Sequence, residues 1–223
     1  MKSKPTLQRL MNQACGYMLS SVFIITAASA PLIAQDKYEV NTNSTTTSIT
    51  VSGTSNIHDW HMSSPALICD AQMSFDNANN VSILNVSKLE FAVVVKTLKS
   101  GKAKMDDKTY TALKAGTHST ISYKLISATT LAYKKDAFNI QSTGTLTIAG
   151  VTKQIDMTVA CQVKPDGTVI CVGTKKLKMT DYNVEPPTAL LGTIVSGNDI
   201  TISFILDLKK SLSANDKKTS LLN

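Results

Sequence analysis

The chain has 223 residues, 23 basic against 16 acidic side chains and a formal net charge of +7. Its only arginine is Arg9, so the bidentate guanidinium fork central to phosphate and base-edge recognition is missing beyond the N-terminus, and nucleic acid is not an expected partner. The lysine excess suits a soluble surface and guarded sheet edges, and it allows a weak attraction to an anionic membrane surface.

Lys2, Lys4 and Arg9 precede an uncharged apolar run from Tyr17 to Ala30, and no acid occurs before Asp36. This is the layout of a secretory signal peptide, with an apolar run shorter than the roughly 20 residues a membrane helix needs. Cleavage after Ala30 or after Ala34 both fit. Cys15 precedes the apolar run, which argues against a lipoprotein. We therefore expect a signal peptide over 1–34, one domain over 35–210, a polar tail over 211–223, and export to the periplasm or the extracellular space.

Alternation of apolar and polar residues dominates the rest, the mark of half-buried strands. It opens at Ile49 to Gly53. Leu67, Cys69, Ala71, Met73 and Phe75 then give one dry face, and Asn77, Asn79 and Asn80 supply a turn. A long strand region follows from Ile83 to Lys96, with Leu89, Phe91, Val93 and Val95 on one side. Residues 104–116 break the pattern: Asp106 and Asp107 near the start, Lys114 in the last turn and Gly116 just beyond predict a short helix. Met105, Thr109, Ala112 and Leu113 form its weak inward stripe, as a loop insertion or a lid.

Ile121, Tyr123 and Leu125 begin the next strand, which continues to about Ala132 and Tyr133. Phe138, Ile140, Gly144, Leu146 and Ile148 share one parity up to Gly150. Ile155, Met157, Val159, Cys161 and Val163 alternate up to a turn at Pro165-Asp166-Gly167, and Thr168 to Thr174 returns. With a three-residue loop and Gly167 left-handed, Lys164 faces Thr168 and Cys161 stands opposite Cys171 in a non-hydrogen-bonded pair. This predicts a Cys161–Cys171 disulfide in an oxidising compartment. A two-residue turn would instead set Cys161 against Val172, and two reduced, buried cysteines are the other alternative. Asn183 to Asn198 reads as a long loop before a last strand, Ile200 to Leu208. About eight long strands without a βαβ rhythm predict an all-β fold, an antiparallel barrel or a two-sheet sandwich.

Chemistry is sparse. His58, His61 and His118 lack a cysteine or carboxylate cluster that would complete a metal site. No nucleophile turn, Walker loop or dinucleotide fingerprint occurs, so no catalytic residue, metal or cofactor is expected. Sequons at Asn43, Asn80 and Asn85 matter only where secreted proteins are glycosylated. An apolar barrel interior can hold a small ligand or be filled by side chains, and the pattern leaves both open.

The segment from Gly144 to Ile155 resembles the G-x-L-T-I-x-G-V-T-x-x-V signature of the YceI-like proteins, exported lipocalin-like barrels. Val51 to Trp60 is similar to a G-T-S-x-x-H-x-W opening found in one branch. Leu98 to Leu125 resembles the family's helical insertion, and Leu177 to Val184 its late L-x-R-x-D-F-G-I motif, with Lys178, Tyr182 and Asn183 in place of arginine, phenylalanine and glycine. The resemblance implies a carrier for a polyisoprenoid or other long-chain apolar lipid held inside the barrel, with no enzymatic activity. The expected apolar wall comprises Trp60, Phe91, Val93, Leu113, Tyr123, Leu125, Phe138, Ile140, Leu146, Ile148, Met157, Val159 and Phe204. Two other readings remain: a structural or stress-related barrel with a closed core, and an enzyme using the His58/His61 region.

Overall fold

The computed structural model describes residues 35–75, 83–134 and 137–211. The expected signal peptide, the turn at Asn77, Asn79 and Asn80, and the polar tail from 212 onward lie outside these residues. Eleven strands follow in chain order: β1 (Asp36–Val40), β2 (Ser48–Ser55), β3 (Trp60–Ser64), β4 (Leu67–Phe75), β5 (Ile83–Val94), β6 (Thr120–Lys134), β7 (Ala137–Ile148), β8 (Val151–Val163), β9 (Val169–Lys178), β10 (Thr188–Ala189) and β11 (Ile194–Lys210). One helix, α1 (Ala103–Ala112), separates β5 from β6.

The named strands pair antiparallel, and the order β1-β4-β5-β6-β7-β8-β9-β11 returns to β1. This is a closed barrel of eight strands. Strand β11 is long enough to carry two partners on one edge: β2 along Ser196 to Ile205, then β1 at Leu208 to Lys210. The β2–β3 hairpin thereby extends the wall beyond β1 at one end, which we call the mouth.

The period-two pattern sets the inside. Leu67, Cys69, Ala71, Met73 and Phe75 are all buried, and on β7 every second residue from Phe138 to Ile148 is buried. Two glycines make room for interior aromatic rings. A Cβ on Gly173 would collide with the ring of Phe204 directly across the ladder, and one on Gly144 with the ring of Tyr123. A small residue in a strand at a point of close approach is the usual reason for glycine there.

Between β7 and β8 the chain reverses through Ala149 (φ 49°) and Gly150 (φ 83°), the two positive-φ residues a two-residue hairpin of this twist requires. The β8–β9 hairpin closes as counted: Gly167 is left-handed at φ 81°, the Lys164 amide donates to Thr168 O at 2.7 Å, and Cys161 pairs with Cys171. The two cysteines form a disulfide with Cα atoms 4.1 Å apart.

Strand β1 adds to the expected set, and two expectations need correction. Strand β1 carries no signal in the alternation, because it is short and only Tyr38 is buried along it. The stretch from Asn183 to Asn198 is not all loop: β10 and the first residues of β11 pair there, Thr188 with Val195 and Ala189 with Ile194. The helix ends at Ala112 rather than near Gly116, since the left-handed residue that stops it is Lys114 at φ 53°, where Ala115 N donates to Tyr110 O.

Candidate functional site

A cavity of about 510 Å³ opens at the mouth, a size typical of small-molecule sites, which run roughly 300–1,000 Å³. Its walls include Val51, Trp60, Met62, Ile121, Ile148, Ile200 and Ile202 from the strands, with Met105, Thr109 and Ala112 from α1 and Leu113 just after it. Met179, Tyr182 and Val184 complete it from the turn after β9. The only tryptophan of the chain, Trp60, lies flat on the wall because Gly53 faces it: a Cβ at Gly53 would come within 2.5 Å of Trp60 Cζ2. Its indole Nε1 donates to Thr54 O at 2.9 Å.

Helix α1 borders the cavity and is held by polar contacts on its side away from it. Asp106 Oδ1 accepts from the Ser100 amide at 2.8 Å and from the Ser100 hydroxyl at 2.6 Å. Those two hydrogen bonds hold the Asp106 carboxyl below the usual carboxylate range against the opposing effect of burial, and Lys99, 3.8 Å away, adds to the lowering. The Tyr110 hydroxyl donates to Leu98 O at 2.8 Å. The weak inward stripe expected for the helix is thus the face that lines the cavity.

Deeper in the barrel a second void of about 60 Å³ is bounded by Phe91, Tyr123, Leu125, Ile140, Met157, Val159 and Phe204, among others. The two voids share no lining residue. Along β6 the division falls between Ile121 and Tyr123, and along β11 between Ile202 and Phe204. The expected wall residues therefore separate into three groups. Trp60, Leu113 and Ile148 line the mouth cavity; the seven just named line the deep void; Val93, Phe138 and Leu146 are buried core that lines neither. The Cys161–Cys171 bridge also borders the deep void.

The histidines do not converge. His58 lies at the cavity mouth with Nδ1 2.8 Å from Asp59 O. His61 is exposed and lines no part of the cavity, and the His118 ring lies against Gly150. Among the described residues no group of three His, Cys, Asp or Glu side chains could hold a metal ion.

Several wall residues were not singled out by pattern alone, because they come from turns. Asn183 stands where the late motif has glycine and takes the left-handed conformation that glycine would (φ 53°), which asparagine tolerates better than most residues. Tyr182 beside it is 2 % exposed, and its hydroxyl has no hydrogen-bond partner among the described residues. Burial raises its phenol pKa, with Asp181 adding to the effect. Counted from Leu177, the arginine position of the motif falls on Met179, and Lys178 beside it pairs with Asp199 at 2.7 Å. Across the mouth, Asn56 ties the β2–β3 turn to the start of β11 by accepting from Val195 N at 3.0 Å and donating to Thr193 O at 2.8 Å.

Comparison with known proteins agrees with this geometry. Residues 35–208 match the YceI-like domain. The crystal structure of BcnA from Burkholderia cenocepacia superposes with a TM-score of 0.56 at 16% identity, covering 74% of this chain and 96% of that one. A polyisoprenoid binding domain from Saccharophagus degradans implicated in plant cell wall breakdown gives a TM-score of 0.57 at 14% identity, covering 78% and 98%. At such identities the likeness is one of fold. No curated protein matches the chain. With the family match spanning most of its length and an eight-stranded barrel to account for it, the chain belongs to the YceI-like domain family.

Proposed function

We propose that this protein is an exported binding or carrier protein for an isoprenoid or another long apolar lipid, held in the mouth cavity. The observation that carries the reading is the cavity itself: about 510 Å³, walled by aliphatic and aromatic side chains. Burying a hydrocarbon tail is worth roughly 0.8 kcal/mol per CH₂, so such a wall suffices for affinity without any reacting group. The polyisoprenoid binding described for the Saccharophagus degradans relative supports the same ligand class. Export rests on the basic and apolar N-terminal segment, and a disulfide-bonded hairpin suits an oxidising compartment. The deep half of the barrel is side-chain core, so the guest occupies the mouth half.

Trp60 supplies the test. Titrating the protein with a brominated long-chain lipid is expected to quench its fluorescence saturably, and native mass spectrometry should show one guest per chain. Absence of both quenching and a retained lipid would reject the carrier reading.

A further inference from the structure

Resting on that reading, we infer that the guest is a single-tailed amphiphile with an anionic head group, lying tail inward with its head at the lysines of α1. Four lysines line the cavity and no carboxylate does. One of the four, Lys178, is already neutralised by Asp199 at 2.7 Å. The other three, Lys102, Lys104 and Lys108, make no ion pair among the described residues. All three are exposed, so they border the cavity from its solvent side.

The helix carries Lys104, Asp107 and Lys108 exposed and Asp106 buried. Lys104 and Lys108 are one turn apart, the spacing at which like charges repel and slightly destabilise a helix. On its other side Asp106 is buried, and accepts from Ser100 while Lys99 lies near it. Next to each lysine, Met105 and Thr109 face the cavity. The result is an apolar chamber with three lysines along one lip, against a single exposed acid of the helix, Asp107, that does not line the cavity. Lysine stems pack along apolar surface while their ammonium groups stay in water, which is where the head of a tail-down amphiphile would lie. The chemistry recognised is a carboxylate or a phosphate; a neutral alcohol of the same tail leaves the lysines unmatched.

The full chain is titrated, below micelle formation, with a brominated long-chain fatty acid, the alkyl phosphate of the same tail and the corresponding fatty alcohol, reading Trp60 quenching. An anion preference of roughly tenfold is expected at low salt, the size that about 1.4 kcal/mol of ion pairing gives, shrinking as salt screens it. Whether the acid or the phosphate binds tighter identifies the source of the anionic head. The double variant K104Q/K108Q should lose most of the preference, whereas K164Q/K209Q, with the same change in net charge, should keep it. Alcohol binding as tight as the acid, or equal loss in both double variants, would overturn the inference while leaving the carrier reading in place. Binding of none of the three probes would overturn both.

Discussion

Phe91 on β5 and Phe204 on β11 stand three places apart around the barrel, yet their ring centroids are 6.2 Å apart, tilted by 34°. They meet across the interior, in the layer where the mouth cavity ends and the deep void begins. The depth available to a guest is therefore set by side chains and not by the length of the barrel. Replacing Phe204 by Ala should join the two voids and extend the longest tail that binds tightly, at a stability loss of about 2–4 kcal/mol for a large-to-small change at a partly buried aromatic. A chain-length series read by Trp60 quenching, with urea unfolding alongside, checks both. An unchanged length limit would show that the pair is not the floor.

Met157 lines the deep void, not the mouth. Aspartate there places a charge among apolar groups with no partner, so Met157→Asp is expected to destabilise the barrel by several kcal/mol. Thr158→Asp, on the exposed side of the same strand, should stay within about 0.5 kcal/mol of the parent. Equilibrium urea unfolding of the two variants would reveal the difference. Equal stability would mean that the interior assignment of β8 is wrong.

Tyr182 holds an unpaired hydroxyl in a buried position. Removing a buried, unpartnered polar group relieves a desolvation penalty of about 1–3 kcal/mol, so Tyr182→Phe should leave stability equal or raise it. A drop in thermal stability would show that the hydroxyl has a partner in solution. Binding assays on the same variant report whether a guest uses it.

The Asp106 carboxyl is held below its ordinary pKa by Ser100. A carboxylate with a folded pKa below the unfolded value, about 3.9, contributes stability that is fully present above that value and is lost as pH falls through the folded pKa. Asp106→Asn should therefore be less stable than the parent at neutral pH, with the gap closing in acid. Unfolding curves for both proteins from neutral pH to below pH 3 test this; a pH-independent gap would mean that charge plays no part in seating α1.

The disulfide and the remaining cysteine differ in accessibility. Burial pushes the Cys69 thiol up to about 12, with the Asp70 charge adding to the shift, so it should resist alkylation until the barrel unfolds. Cys161 and Cys171 should be protected from alkylating reagents with or without denaturant unless a reductant is added. Replacing both by Ser should cost about 2–3 kcal/mol, the loop-closure value for a short loop. Labelling of Cys161 or Cys171 in unreduced protein would show that the bond is absent.

Much of the barrel could be read in advance because the inward residues of its long strands recur at every second position. Leu67 to Phe75, Phe138 to Ile148 and the Cys161–Cys171 register are placed as expected by alternation, the last two with the help of a glycine-bearing turn. Alternation reports which face a residue occupies and nothing about depth along the axis. Phe204 and Ile202 share a face and a strand, yet they border different voids. The mouth was least visible. Tyr182, Val184 and Leu190 reach it from turns, where no periodicity exists, and the lysines of α1 read only as surface until the helix is placed against the opening.

One seam of the wall is shorter than the others. Strands β7 and β8 are zipped over twelve paired positions, whereas β3 meets the chain leading into α1 through a single bridge. There Ser63 and Lys99 exchange backbone hydrogen bonds of 2.9 and 2.8 Å, backed by the Ser64 and Thr97 hydroxyls at 2.7 Å. Local opening is easiest where the fewest bonds must break. Opening there would break these two bonds while leaving the pairings of the eight-stranded ring intact. In hydrogen exchange the amides of Ser63 and Lys99 would then open far more often than those of the β7–β8 ladder, making this opening a local event decoupled from global unfolding.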